Sequence, residues 1–371
     1  MINFDFSIYK NNKQYFLFYD VILKSEPTNK DAFLESLGII PSSYRRSRMA
    51  EQKVGIKIID TLNLHYNLQQ PTDDFLDELE NKFSSIYFDL YFKNYLNFEK
   101  DFEYVDSLLD KKFNIYPIIY LMKLFMVINS QKNGKKLLQD YKDMYLEVIR
   151  YKNFFTPQLL DILDLIVLSF EDEITNEMLS KTYTNGLAYF ILASKLSMKK
   201  RFIESLYYAE FSKLYLEKEN NYKRMIFLNL TKMLNYNCIG NYQECYELAH
   251  RQLIMLYSFS ITTFEFASTI KHLSIACLAL KKYEETIHFV EIGEQYTLTD
   301  LACFLVSKYY LDKNDYLKEL NEYLNDNIGN IKLTEFLNNL DDYLNYKEKT
   351  SLQYLENFNL YSCLPDLLKC L

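Results

Sequence analysis

Hydrophobic residues recur at three- and four-residue spacing along most of the chain, which is the pattern of amphipathic α-helices. The spacing is regular in "NGLAYFILASKLSMK", "RMIFLNLTKMLNYNCIG" and "ASTIKHLSIACLALK". No proline occurs between Pro157 and Pro365, and proline is the residue that most strongly interrupts a helix. The pattern therefore predicts an all-α fold.

Each of these three patterns is followed by a short turn and a second helical pattern, and the three copies align. The second patterns are "KRFIESLYYAEFSKLYLEK", "GNYQECYELAHRQLIMLYS" and "KKYEETIHFVEIGEQYTLT", and their opening aromatic residues Phe202, Tyr242 and Tyr283 lie 40 and 41 residues apart. The further shared positions are Glu204, Glu244 and Glu285, then small Ser205, Cys245 and Thr286, then Ala209, Ala249 and Val290. A fixed period of this length indicates stacked helical hairpins.

Other parts of the chain extend the array. Tyr316 in "KNDYLKELNEYL" restarts the pattern after 33 residues and predicts a fourth unit. Helical hairpins are also predicted at 74–100, 102–131 and 136–170, with no clear repeat register. We expect the clearest repeats at 186–330 and C-terminal capping helices at 331–371.

The N-terminal segment "DAFLESLGIIPSSYRRSRMAEQ" predicts two helices joined by a tight turn. Thr28 or Asn29 can cap the first helix, and Gly38 suits a helix end that needs a positive φ. Ile39 and Ile40 are then expected to point inward, and Pro41 suits the first turn of the next helix. Leu34, Leu37, Ile39 and Tyr44 would form the small core of a helix-turn-helix.

Charge distinguishes this segment from the rest of the chain. The whole chain carries a formal net charge of −8, yet residues 1–70 hold nine Lys and Arg against seven Asp and Glu. Residues 41–58 hold five basic residues and one acid, Glu51. A basic head on an acidic body favours contact with nucleic acid, although a short basic run is also typical of a solvated helix face. The predicted DNA-binding residues are Ser42, Ser43, Arg45, Arg46, Arg48 and Lys53.

Several function classes lack their sequence signals. The motifs GxGxxG, GxxxxGK[ST], HExxH and GxSxG are absent, so we expect no enzyme activity and no cofactor. The six cysteines show no zinc-type spacing, and we expect them to be reduced and no metal to be bound. Neither a signal peptide nor an uncharged apolar run of about 18 residues is present, which predicts a cytoplasmic protein without a membrane segment.

Two motifs in the chain resemble motifs of known families. "GNYQEC" and "KKYEETI", with Leu192-Ala193 and Leu273-Ser274 in the preceding helices, resemble the tetratricopeptide repeat. "LGIIPSSYRR" resembles the turn and recognition helix of the bacterial repressor-type helix-turn-helix. The combination resembles the cytosolic peptide-pheromone receptors of Gram-positive bacteria and their phages, the Rap, Rgg, NprR, PlcR and PrgX superfamily.

That resemblance implies a transcriptional regulator of the quorum-sensing type. A helix-turn-helix domain at 1–70 would bind a double-stranded DNA operator as a homodimer. A repeat domain at 71–371, a right-handed α-solenoid of tetratricopeptide-like hairpins, would bind a short signalling peptide and alter DNA binding. The alternative is a repeat-based protein-interaction adaptor, or a Rap-like regulator of a response regulator, without DNA binding.

The repeat register also predicts where such a peptide would lie. In a right-handed superhelix of hairpins the first helix of each unit lines the concave side. The predicted peptide-binding residues are Phe190, Ser194, Leu230, Asn237, Ser268 and Lys271. The alternative is that Phe190 and Leu230 are ordinary packing residues between helices and that Asn237 only ends a helix before Gly240.

Overall fold

The structure is a computed structural model that describes residues 4–49, 55–130, 135–259, 263–293, 297–327 and 330–357. Over these ranges the regular secondary structure is helical, which confirms the all-α fold class. Among the described residues the only β-type pairing is an isolated bridge between Gln69 and Phe113. No helix in these ranges combines the length and the apolarity needed to cross a membrane.

The chain divides into two compact units. The first comprises Met1–Ile191 with Lys218–Asn221, and the second comprises Leu192–Glu217 with Tyr222–Leu371. The helices before the second unit are α1 (Asn12–Leu23), α2 (Lys30–Ser36), α3 (Pro41–Met49), α4 (Ile56–Tyr66), α5 (Asp73–Tyr91), α6 (Phe98–Leu109), α7 (Tyr116–Asn129), α8 (Lys135–Asp140), α9 (Lys142–Val148), α10 (Pro157–Phe170) and α11 (Asn176–Ser180). Short 3₁₀ helices span Ser7–Lys10 and Ile149–Phe154.

The first unit is organised around two helices whose surroundings are apolar. Helix α7 packs against α5, α6, α9 and α10, and most of its side chains are buried. Helix α1 packs on α3, α4 and the second 3₁₀ helix. Its rings Tyr15, Phe16, Phe18 and Tyr19 are fully buried. Because the segment before residue 70 buries its rings against helices of this same unit, α1 to α4 are held firmly by later parts of the chain.

The remaining helices are α12 (Gly186–Met198), α13 (Phe202–Lys218), α14 (Tyr222–Cys238), α15 (Tyr242–Phe259), α16 (Thr263–Ala279), α17 (Tyr283–Ile292), α18 (Leu298–Leu311), α19 (Lys313–Asp326), α20 (Ile331–Tyr346) and α21 (Lys349–Asn357). From α14 to α21 the described helices pack mostly on their chain neighbours. Alternate helices also touch, so that α16 contacts both α14 and α18, and α18 contacts α20. Each helix therefore meets mainly elements close to it in sequence.

The three aligned turns of the second unit share one backbone geometry. Lys200, Gly240 and Lys281 all have positive φ, at 60°, 78° and 58°. In the second copy Gly240 N–H donates to the Asn237 carbonyl at 3.3 Å and Asn241 N–H to the Tyr236 carbonyl at 2.9 Å. The same two bonds recur one period earlier and one period later. This pair of bonds is the Schellman motif, which satisfies the last carbonyls of a helix.

The small residues of the aligned copies lie where helices approach closely. Ser205, Cys245, Thr286, Ala209 and Ala249 are fully buried. The fourth predicted unit begins differently, because Asp312 has an extended backbone and caps α19 through its carboxylate. The small side chains let the second helix of each hairpin pack close to its neighbours.

Candidate nucleic-acid interface

Local interactions determine how α2, the turn and α3 follow one another. The Asn29 side chain accepts from the Asp31 N–H at 2.9 Å and caps α2. At the other end Gly38 has φ 73°, and Ile39 N–H donates to the Leu34 carbonyl at 2.9 Å. Helix α3 then begins at Pro41. The predicted helix ends are thus confirmed at both sides of this turn.

The orientation of Ile40 differs from the prediction. Ile39 is buried, but Ile40 is 64% exposed, so its assignment to the inward side was wrong. The Ile40 carbonyl accepts from the N–H groups of Ser43 and Tyr44, which makes Ile40 the residue that precedes the first turn of α3. In a Schellman turn the residue after the glycine packs back on the helix, and here that residue is Ile39. Its neighbour is therefore left in solvent.

A buried carboxylate, Asp20 of α1, holds α2 and α3 in place. Asp20 accepts from Lys30 of α2 at 2.5 Å, and from Tyr44 at 3.0 Å and Arg48 at 2.7 Å, both of α3. The fully buried Tyr44 ring meets Phe16 edge-on, with ring centroids 5.1 Å apart. Burial, and then the neighbouring Asp20, raise the pKa of Tyr44, so its hydroxyl stays a donor at neutral pH. A carboxylate shared by three donors fixes the relative position of three helices.

The three arginines of α3 lie on its exposed side but have different surroundings. Arg45 contacts the Asp31 carboxylate at 2.9 Å across the turn. Arg46 has a long contact of 3.5 Å to the Ser43 hydroxyl and is exposed. Arg48 is held by Asp20. Because exposed ion pairs contribute little to stability, a phosphate could displace the Asp31 carboxylate from Arg45. Arg48 is different, because its contact with Asp20 also fixes the position of α3.

The other predicted DNA-binding residues are placed as follows. Ser42 is exposed and Ser43 is half-buried at the start of α3. Lys53 lies outside the described residues. The sequence reasoning missed Asp20 and Asp31, and the available signal was an acid inside the aromatic stretch "QYFLFYDVILK" of α1. Such a buried acid predicts partners of opposite charge.

Gly55, the residue that precedes α4, lies close to side chains of α1 and α3. Its φ is 82°, and an added Cβ would lie 2.7 Å from the Ser47 Oγ and 2.9 Å from the Phe16 ring. The contrasting case is Gly38, where an added Cβ meets nothing within 4 Å. Gly55 is thus needed both for its backbone conformation and for space.

Comparison with known protein families, curated proteins and solved structures finds no match to this chain. Any functional conclusion therefore depends on the geometry of this chain alone. Among the described residues, no group of three or more His, Cys, Asp or Glu side chains is arranged to hold a metal ion.

The predicted peptide-binding residues do not share one environment. Phe190 belongs to the first unit and the other five belong to the second. Phe190, Ser194, Ser268 and Lys271 are half-buried. Leu230, also half-buried, packs against the hydrophobic cluster of α14 to α16.

Asn237 is placed inside the fold. It is almost fully buried, and its amide donates to the His272 carbonyl at 3.1 Å. The helix that carries His272 is enclosed along much of its length, since every residue at 272–278 is buried. In this arrangement the Asn237 amide links α14 to α16 and is used within the protein.

Neutral polar side chains form a buried network in the second unit. The Asn235 amide donates to the Ser205 hydroxyl at 2.7 Å, and its oxygen accepts from Ser197 at 2.6 Å. Ser205 also donates to the Ala193 carbonyl at 2.6 Å. Burial lowers the pKa of His272 to about 3, so this imidazole is neutral at physiological pH. The sequence shows these residues only as polar interruptions in apolar helix faces.

Proposed function

We propose that this protein is a DNA-binding transcriptional regulator of the quorum-sensing type, a dimer in which α2 and α3 form a helix-turn-helix. The observation that supports this function best is the placement of Arg45, Arg46 and Arg48. They stand on the exposed side of a helix that follows a positive-φ turn and is anchored through Tyr44 on its other side. Arginines on the exposed side of such a helix, here Arg45 in the middle of α3 and Arg46 and Arg48 in its last turn, can reach both phosphates and guanine edges in a major groove.

The three arginines have separate roles in this proposal. Arg46, whose side chain makes a long 3.5 Å contact with the Ser43 hydroxyl and is exposed, makes the principal base or phosphate contact. Arg45 exchanges Asp31 for a backbone phosphate. Arg48 keeps α3 on Asp20 and contributes positive charge. The half-site is read by one copy, and two copies read a two-fold symmetric operator.

The second unit would carry the sensing function. We propose that its hairpins form a right-handed solenoid of tetratricopeptide-like repeats that binds a short peptide in the cytoplasm. The support is the recurrence of one turn geometry at Lys200, Gly240 and Lys281 and the sequential packing of the helices. Half-buried Ser194, Ser268 and Lys271 are the predicted contact residues with side-chain groups suited to peptide polar atoms.

The test is DNA selection with the full chain, followed by affinity measurements on the selected site. We expect Arg46→Ala to weaken specific binding by about ten- to a hundredfold, the range of one bidentate base contact, with an unchanged melting temperature. Asp31→Asn should tighten binding, because it releases Arg45 and removes a negative charge. Lys24→Ala, an exposed basic residue beyond the end of α1, is the control and should leave the affinity unchanged.

The outcome also separates the alternative function. If the protein selects no sequence and shows no binding at low salt, the proposal is wrong. The repeat-based adaptor, or the Rap-like regulator of a response regulator, would then be the better explanation.

A further inference from the structure

One large apolar side chain lies on the exposed side of α3. Met49 is the last residue of this helix and is 77% exposed. A single exposed apolar residue is ordinary on a protein surface, so exposure alone does not indicate a contact. Met49 is distinguished by its position relative to the arginines of the same helix.

Helical periodicity places Met49 at the centre of the exposed side. Residues seven apart on a helix are nearly in line, so Met49 lies almost directly along the helix axis from exposed Ser42. Exposed Arg45 and Arg46 lie on the two sides of that line, each within roughly 60° of it. The side chains buried on the opposite side of the helix are those of Pro41, Tyr44 and Ser47.

Buried contacts fix the last turn of α3 in this orientation. Arg48 contacts the Asp20 carboxylate of α1 at 2.7 Å. Ser47 is buried and lies so close to Gly55 that an added Cβ on the glycine would be 2.7 Å from the Ser47 Oγ. Because both neighbours of this turn are held by the protein, Met49 is directed into solvent between the arginines.

The major groove of DNA displays an apolar group that suits this position. When α3 lies in the groove, arginines on either side of the exposed line reach guanine edges or phosphates, and the side chain between them meets the base edges directly. The apolar group on those edges is the C5-methyl group of thymine, which 5-methylcytosine also carries. We propose that Met49 contacts the C5-methyl group of a pyrimidine in the operator half-site and is a specificity-determining residue. This inference rests on the proposed DNA binding through α3.

The spacing along α3 predicts where that pyrimidine lies. Arg46 and Met49 are three residues apart, which is about 4.5 Å along the helix axis. Successive base pairs of a duplex are about 3.4 Å apart. The methyl group should therefore lie within about two base pairs of the guanine that Arg46 contacts.

The test uses the full chain and the site obtained by DNA selection. Each thymine of one half-site is replaced in turn by uracil, which removes only the C5-methyl group, and the dissociation constant is measured. We expect one replacement, close to the guanine, to weaken binding about three- to fivefold, the effect of one buried methyl group. In Met49→Ala that replacement should have no effect, whereas Met49→Leu keeps an apolar side chain and should remain sensitive.

A second methionine provides the matched control. Met198, the last residue of α12, is 75% exposed, and Met198→Ala should keep the full sensitivity to uracil. Cytosine and 5-methylcytosine at the sensitive position provide the converse test. The unmodified chain should bind the methylated base more tightly, and Met49→Ala should bind both equally.

The possible failures are distinguishable. A selected half-site without a thymine near the guanine, or one in which no uracil replacement changes the affinity, would overturn the role of Met49 and leave the helix-turn-helix standing. A Met49→Ala variant as sensitive to uracil as the unmodified chain would do the same. A chain that selects no DNA sequence would overturn the proposed function, and the role of Met49 with it.

Discussion

The core beneath α3 and the contacts between the repeat helices, called the seams here, bury side chains of different size. Helix α1 fills its surroundings with the large rings of Phe16, Phe18 and Tyr19. The seams of the second unit are closed by small residues such as Ser205 and Ala249. Large rings fill the space that α1 shares with α3 and α4, whereas small residues at a fixed period let neighbouring hairpins approach closely.

The polar cluster around Asp20 and the polar cluster around Asn235 also differ. In the first unit one charged group, Asp20, serves Lys30 and Arg48, which are themselves partly in solvent. In the second unit Asn235 and its partners are neutral. The Asp20 carboxylate thus fixes three helices through charged partners, whereas the Asn235 cluster links α12, α13 and α14 through neutral amide and hydroxyl groups.

Removing a ring from the first core should have the largest effect. Phe16→Ala leaves a cavity beneath Tyr44, and we expect the free energy of unfolding to fall by about 3–5 kcal/mol. Urea denaturation of the full chain measures this loss. Phe88→Ala, at a half-exposed ring of α5, is the control and should have a much smaller effect. Equal losses would show that the core under α3 is not tightly packed.

Gly38 and Gly55 extend the comparison. Both have positive φ, but only Gly55 has neighbours so close that an added Cβ would clash. Gly55→Ala introduces a clash with Ser47 and Phe16 at positive φ, and we expect a loss of about 3 kcal/mol. Gly38→Ala adds only the positive-φ penalty of about 1 kcal/mol. Thermal melts of both variants measure the difference, and a Gly38 effect as large as that of Gly55 would contradict it.

Enlarging a small residue tests the seams of the second unit. Ala249→Leu places a branched side chain in a fully buried position, and overpacking should lower the free energy of unfolding by about 2 kcal/mol. Glu247→Leu, two residues earlier on the exposed side of α15, should change stability by less than about 0.5 kcal/mol. If Ala249→Leu is neutral, the seam is looser than the structure indicates.

Acid should weaken the second unit through His272. The folded-state pKa of this group is about 3, below its usual value of 6.5, so the unfolded chain takes up the proton first. Its contribution to stability is complete well above pH 6.5 and is lost as the pH falls through 6.5 toward 3, by roughly 1 kcal/mol at pH 5.5. His272→Gln should reduce this loss in denaturation experiments at pH 7 and 5.5. His288→Gln, at an exposed position, should not.

The sequence predicted much of the local structure for clear reasons. Gly38 and Gly240 mark helix ends because few other residues adopt positive φ readily. The burial of the small residues that follow each repeat turn, such as Ser205 and Cys245, was predictable because helical periodicity assigns them to the packed side of the helix. Lys200 and Lys281 adopt the same turn without glycine, which only their alignment with Gly240 could indicate.

The sequence by itself thus determined the all-α class, the hairpin period and the basic character of α3, because these depend on residue type and spacing along one helix. Tertiary structure alone decided that Ile40 faces solvent, that Arg48 is held by Asp20 and that Asn237 is buried against α16. Each of these outcomes depends on which group from a distant part of the chain lies nearby. A pattern along one helix does not contain that information, since burial and pairing are properties of the neighbouring elements.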